Sequence, residues 1–259
     1  MPRFSANLGF LWPDRPLLAR IDAAAAAGFR AIELHWPYDT PAAEVKAAVA
    51  RHGLTLLSIN TAVGEVGKEM GLGAVPGREA DFAAAIDQSI AYCVGTGATA
   101  IHAMAGKVPP ERFAEGRKVL IENLKPAAEK AAAHGITLNL EPLNQRDAPG
   151  YFYSTLEPAA EIIAAVGAPN VKLMFDCYHV GVMQGDILKR LERFFPLIGH
   201  IQIAAVPSRA EPDEGEIAYR AVFDQIDRLG WKGWVGAEYK PRGATDAGLG
   251  WVKTLDVTL

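Results

Sequence analysis

Short apolar runs alternate with longer stretches whose apolar residues recur at three- and four-residue spacing, and this alternation repeats from one end of the chain to the other. The short runs predict strands near Phe4–Gly9, Ala31–Leu34, Thr55–Asn60, Ala100–Ala103, Thr137–Glu141, Lys172–Asp176, His200–Ala204 and Gly233–Glu238. They lack a clean two-residue alternation, as strands buried on both faces of a parallel sheet do. The longer stretches predict helices over Pro16–Ala27, Ala42–Arg51, Glu79–Gly95, Pro110–Ala133, Leu156–Val166, Gly185–Arg193 and Ala218–Leu229, with a last one after Thr245. Their spacing gives each an apolar face to lay on a sheet. Gly28, Gly53, Gly135, Gly167 and Gly230 stand where such a helix must turn left-handed before the next strand.

Repeated strand–helix units with no linker or shift in composition predict an α/β fold of one domain over residues 1–259, a closed (β/α)8 TIM barrel. The rival architecture is an open doubly wound sheet, which would carry a glycine-rich phosphate turn after its first strand. Asn7-Leu-Gly-Phe-Leu-Trp-Pro-Asp14 has no G-x-G-x-x-G pattern, and no Walker sequence occurs elsewhere. The longest stretch without periodicity runs from Thr61 to Arg78, with Gly64, Gly67, Gly71, Gly73 and Gly77. It follows the third strand, and its length suits a lid or binding loop.

A barrel gathers the C-terminal ends of its strands on one face. Four of the later strand-like runs carry an oxygen-bearing side chain at or near that end: Glu141, Asp176, Gln202 and Glu238. Three carboxylates and one amide oxygen form a hard donor set, suited to Mg²⁺ or Mn²⁺ and poorly suited to zinc. Converging carboxylates repel one another without a cation, so one divalent ion is the expected cofactor. Any one of them alone could cap a helix or pair with an arginine; the four together point to a single site. His179 follows Asp176 in the loop leaving that strand, where it could reach a substrate oxygen. Arg209, after the seventh strand, and Lys107, beyond the fourth, could meet a substrate carboxylate, for which a guanidinium is well matched. A solvated loop cation is the alternative for both. His200 points the same way as Gln202 from one layer lower and reads as core or support, while His52 and His134 sit in helix stops.

Bulk composition then narrows the function classes. A net charge of −4 and a pI near 5.9 give no electrostatic reason to expect nucleic acid or an anionic membrane as partner. Every apolar run is cut by charge, Gly or Pro before it reaches transmembrane length. Met1-Pro-Arg-Phe-Ser-Ala-Asn7 has no basic segment followed by a long apolar one. The two cysteines, Cys93 and Cys177, read as buried reduced thiols. A cytoplasmic protein is the expectation; the oligomeric state, a homo-oligomer included, is left open.

Several segments carry a family likeness. Glu141-Pro-Leu-Asn-Gln-Arg-Asp-Ala-Pro-Gly150, Phe175-Asp-Cys-Tyr-His179, Gly199-His-Ile-Gln-Ile-Ala204, Arg209-Ala-Glu-Pro212, Gly215-Glu-Ile217 and Gly236-Ala-Glu-Tyr-Lys-Pro241 resemble the hydroxypyruvate isomerase family, within the xylose-isomerase-like TIM barrel superfamily. Arg3-Phe-Ser-Ala-Asn-Leu8 and Val75-Pro-Gly-Arg-Glu79 extend the likeness over nearly the whole chain. The resemblance implies one divalent metal on Glu141, Asp176, Gln202 and Glu238, with the two glutamates as the acid–base pair. It implies substrate contacts from His179 and Arg209. It implies isomerisation of hydroxypyruvate to 2-hydroxy-3-oxopropanoate (tartronate semialdehyde) by proton transfer through an enediolate. Ala205 departs from the family pattern where an Asp is expected, and Asp213-Glu214 replace a Gly-Thr pair. Both departures bear on substrate choice and leave the metal set intact.

The alternatives are an isomerase or 3-epimerase of a longer 2-oxo acid or ketose, such as a 2-oxo-tetronate, and a non-catalytic small-molecule-binding barrel. A two-metal hydride shift would need carboxylate and His ligands beyond this set. A trinuclear zinc nuclease on the same fold would need many histidines, and the chain has 6, two of them in helix stops.

Overall fold

Nine short parallel strands form the middle of the molecule in the computed structural model, which describes residues 1–259. They are β1 (Arg3–Asn7), β2 (Ala31–Glu33), β3 (Thr55–Leu56), β4 (Ser58–Asn60), β5 (Ala100–His102), β6 (Thr137–Leu140), β7 (Val171–Asp176), β8 (Ile198–Ile203) and β9 (Trp234–Ala237). The order across the sheet is β3-β2-β1-β9-β8-β7-β6-β5-β4, so the first and last strands of the chain are neighbours. The expected third strand is broken at Leu57 into β3, which pairs with β2, and β4, which pairs with β5. Leu57 closes the ring. Its N–H donates to Ile32 O at 2.9 Å, and its carbonyl accepts from Thr99 N at 3.1 Å and Ala100 N at 3.0 Å. The eight expected strands are all present, one of them in two pieces, and they make a TIM barrel.

Around the strands run α1 (Leu17–Ala26), α2 (Ala42–Arg51), α3 (Glu79–Thr96), α4 (Phe113–Ala132), α5 (Leu156–Val166), α6 (Cys177–Met183), α7 (Ile187–Phe194), α8 (Tyr219–Arg228), α9 (Thr245–Gly248) and α10 (Trp251–Thr254). The apolar spacing does what it predicts: α5 buries Leu156, Ala159, Ile162 and Ile163 and ends on Gly167 at φ 72°. The other expected stops, Gly28, Gly53, Gly135 and Gly230, also take positive φ. His52 is the C-cap of α2, and His134 stands one residue past the cap of α4. No helix is long and apolar enough to cross a membrane.

Two expectations are corrected. The helix after Thr245 is two separate turns, α9 and α10. The segment bearing His179 is a helix, α6, and not a loop. Asp176 starts it by accepting a hydrogen bond from Tyr178 N at 2.8 Å, the bond an N-cap carboxylate makes.

The apolar core is one continuous cluster of 69 buried residues. Among strand residues it includes Ile59, Ile101, Leu138, Leu173, Phe175, Ile201 and Val235, each with no exposed surface. Full burial of such a side chain contributes about 1.5–3 kcal/mol relative to leaving it in water. The stretch from Thr61 to Arg78 packs onto the exit of β5, with Gly73 N bonded to Met104 O at 3.1 Å and Ala74 N to Ala105 O at 2.7 Å. Gly71 permits this approach: it sits at φ 97°, and a Cβ there would lie 2.5 Å from Met104 O. We expect Gly71→Ala to lower stability by about 1–3 kcal/mol, the range for an overpacked contact, measured by thermal unfolding.

Candidate metal and active site

Strands β6 to β9 are consecutive neighbours, so their C-terminal ends open on one face. Glu141 is the first residue after β6, Asp176 the last of β7, and Glu238 the first after β9. Gln202 lies in β8, paired with Asp176 on one side and Gly236 on the other. All four are buried. Ligand atoms of Glu141, Asp176, His179 and Glu238 lie within 4.8 Å of one another.

Hydrogen bonds orient this group. Gln202 Nε2 donates to Glu33 Oε2 at 2.9 Å. A carboxylate can only accept, so the amide nitrogen must face Glu33 and Oε1 is turned away from it. One oxygen of Asp176 caps α6, which leaves the other free. As a result Gln202 Oε1, Asp176 Oδ2 and Glu141 Oε1 are buried without a hydrogen-bond partner. Unpaired buried acceptors are costly, about 1–3 kcal/mol each, and uncommon in folded proteins. Three of them on three adjacent strands, beside the Glu238 carboxylate, fit a hard divalent cation such as Mg²⁺ or Mn²⁺.

His179 belongs to the cluster by distance but not by chemistry. Its Nδ1 accepts from Asn144 N at 2.9 Å, so in the neutral ring the proton sits on Nε2. Nε2 lies 3.5 Å from Asp176 Oδ2 and 3.7 Å from Glu141 Oε1. Burial, with help from the Arg209 charge, depresses this imidazole to about 3 and keeps it neutral. A nitrogen that carries its proton is a donor, so His179 is placed to bond an oxygen and not to ligate a metal.

The carboxyl groups divide. Burial, then the charges of Glu238 and Asp176, push Glu141 well above the usual carboxylate range. Burial, then the Glu238 charge, raise Asp176 to about 7. Burial acts against the anion at Glu238 too, but the His35 hydrogen bond and the Arg209 charge outweigh it and hold that group at about 2. Its Oε1 accepts from Asn7 Nδ2 at 2.9 Å and lies 2.9 Å from His35 Nε2; its Oε2 accepts from Arg209 Nη2 at 3.0 Å.

Glu141, His179 and Glu238 form part of the wall of a cavity of about 150 Å³ lined also by Phe10, Trp36, Met70, Arg209 and Lys240. Arg209 lines it. Its guanidinium lies 4.8 Å from the centre of the Phe10 ring and 5.1 Å from that of Tyr178, and Nη1 is 3.3 Å from Asp147 Oδ2. Lys107 does not line this cavity: its backbone bridges to Tyr151, and the lysine at the cavity is Lys240.

Sequence reasoning missed five residues at the cluster: Asn7, Glu33, His35, His102 and Asp147. His102 Nδ1 lies 3.3 Å from Glu141 Oε2. Glu33 supports the site from beneath. It accepts from Ser5 Oγ at 2.5 Å and Gln202 Nε2, and its Oε2 lies 3.0 Å from His200 Nε2. That last contact is off the hydrogen-bond direction, so what it adds is electrostatic. Burial opposes both charges, yet Glu33 is lowered and His200 raised because each faces the other. Glu33→Ala should cost about 1–3 kcal/mol in urea unfolding, because it leaves the buried Ser5 hydroxyl and Gln202 amide without their acceptor. It also frees the Gln202 amide to turn, so divalent-ion affinity should fall in the same variant.

The family model for the xylose isomerase-like TIM barrel matches residues 21–255. The chain is 47% identical to a Cupriavidus necator protein named 2-oxo-tetronate isomerase, over 98% of each chain. It is 44% identical to a human protein named putative hydroxypyruvate isomerase, over 97% of this chain and 94% of that one. A Brucella melitensis crystal structure described as AP endonuclease, family 2, superposes with a TM-score of 0.95 at 39% identity, covering 98% of both chains.

Proposed function

The chain belongs to the xylose isomerase-like TIM barrel family, and from that membership we propose that it interconverts a 3-hydroxy-2-oxo acid and a 2-hydroxy-3-oxo acid of three or four carbons. Hydroxypyruvate and 2-oxo-tetronate are both acids of this kind, the second longer by a hydroxymethyl group on carbon 3. The substrates named for the relatives therefore call for one chemistry. The observation that carries the reading is that Glu141 and Glu238 bring ligand atoms within 4.8 Å of one another, in a cluster with buried oxygens that have no partner.

Glu141, Asp176, Gln202 and Glu238 would hold one Mg²⁺ or Mn²⁺. When bound, the ion acts as a Lewis acid toward the carbonyl and adjacent hydroxyl oxygens. The protein's own groups then move the protons. Glu238, kept anionic by His35 and Arg209, takes the proton from carbon 3 and leaves an enediolate. Glu141, on the other side of the cluster, delivers a proton to carbon 2. The hydroxyl proton passes from the oxygen on carbon 3 to that on carbon 2, which makes the product an isomer of the substrate. His179 Nε2–H donates to the oxygen that gains charge, and Asn144 fixes the ring that presents it.

Cavity size bears on substrate class. Sites for drug-sized ligands run to about 300–1,000 Å³. The cavity of about 150 Å³ suits a short acid better than a six-carbon ketose. Nor do that cavity and a net charge of −4 offer the basic track on which a nucleic acid backbone binds. The test is a panel with added Mg²⁺ or Mn²⁺. Hydroxypyruvate and 2-oxo-tetronate should turn over far faster than fructose or psicose, and a preference for the ketoses would refute the reading.

A further inference from the structure

Two side-chain cations line the cavity, and their surroundings differ. Arg209 is balanced, with Glu238 at 3.0 Å and Asp147 at 3.3 Å. Lys240, two residues past Glu238, lines the same cavity with no carboxylate within ion-pair distance. Its ammonium lies 5.7 Å from the centre of the Phe10 ring, the same ring that the Arg209 guanidinium covers at 4.8 Å. The backbone fixes the pairing, because Lys240 N donates to Arg209 O at 2.7 Å. One donor of Arg209 is also unused: Nε–H is buried and has no partner.

Two cations against one ring repel each other, and an anion between them removes that penalty. The excess charge comes from Lys240, since the two acidic neighbours of Arg209 already neutralise it. Building on the isomerase reading above, we propose that Lys240 is a specificity-determining residue: with Arg209 it holds the substrate carboxylate and selects an acid over the neutral hydroxyketone of the same shape. Of the two, Arg209 also pairs with the Glu238 carboxylate at 3.0 Å, whereas Lys240 makes no ion pair with a cluster carboxylate, so Lys240 is the one that can be changed without disturbing the groups that move protons.

The test compares hydroxypyruvate with dihydroxyacetone, in which a hydroxymethyl group replaces the carboxylate, in wild type, Lys240→Met and Lys240→Arg. Lys240 is exposed to solvent, so Lys240→Met should raise KM for hydroxypyruvate about 2- to 5-fold, the loss expected for a solvent-screened charge pair, with kcat moved far less. Dihydroxyacetone turnover should not follow it, and Lys240→Arg should recover most of the loss. An unchanged KM in Lys240→Met, or equal losses on acid and neutral substrate, would overturn the assignment. Calorimetry separates this from failure of the isomerase reading. Glycerate has the carboxylate but no carbonyl, so it cannot isomerise. It should bind the Mg²⁺-loaded wild type more tightly than Lys240→Met by a similar factor, whether or not any acid turns over, and equal binding would refute the role of Lys240.

Discussion

Glu238→Gln is expected to lower kcat by about 10²–10⁴-fold, the contribution typical of a positioned general base, while the protein still binds a divalent ion. The amide keeps an oxygen that can serve as a ligand but cannot take a proton. It also loses the charge that Arg209 and His35 now meet, so a modest fall in metal affinity should accompany the larger fall in rate. Glu141→Gln should be equally slow in isomerisation but different in kind. With Glu238 intact, carbon 3 of the substrate should still exchange its hydrogen with solvent, although no isomer accumulates. Deuterium uptake into recovered substrate, read by mass spectrometry, distinguishes the two variants. Exchange at carbon 3 in Glu238→Gln and none in Glu141→Gln would reverse the assignment, and unchanged turnover in either would remove that residue from the pair.

Stripping the protein with a chelator is expected to abolish turnover, and Mg²⁺ or Mn²⁺ should restore it. The reason lies in the cluster's own electrostatics. Without a cation, burial first and then the neighbouring carboxylate charges raise the proton affinities of Glu141 and Asp176. A bound ion relieves that repulsion and gives partners to Glu141 Oε1, Asp176 Oδ2 and Gln202 Oε1. Because the ion binds the folded chain, it should also stabilise it, by about 2.7 kcal/mol at a free concentration one hundred times Kd. A rise in melting temperature with Mg²⁺ or Mn²⁺ is therefore a second reading of the same site, independent of any substrate. It should be much reduced in Asp176→Asn. Full activity in the chelator-treated protein would contradict this account of the cluster.

Much of this was legible in the sequence because it depends on local rules. Apolar periodicity marked the helix faces, and glycines at positive φ marked the stops. The candidate metal set was proposed from one geometric fact, that parallel strands end on a common face. The same rule applies to the first half of the barrel, where Asn7, Glu33, Asn60 and His102 each end a strand, yet there it was not followed through. Glu33 and His200 were harder to see. They meet across the barrel from β2 and β8, and nothing in either segment announces a partner 167 residues away (200 minus 33). The tautomer of His179 was also out of reach, since it depends on a bond from Asn144, on another strand's exit. Lys107 and Lys240 show the limit of placing loop residues from sequence. Both follow a strand, but the backbone of one is drawn into a bridge with Tyr151 while the other borders the cavity. The helix at Cys177–Met183 could have been expected from Asp176 alone, a capping residue that also has an oxygen to spare for a metal.

The most direct test is one proton NMR time course in deuterium oxide, with hydroxypyruvate or 2-oxo-tetronate and the protein either loaded with Mg²⁺ or stripped by a chelator. The loaded protein should form the 2-hydroxy-3-oxo acid with deuterium on carbon 2, and the stripped protein should form none. Isomer carrying the original hydrogen from carbon 3 on carbon 2, or isomer formed at full rate by the stripped protein, would contradict a metal-dependent proton transfer between Glu238 and Glu141.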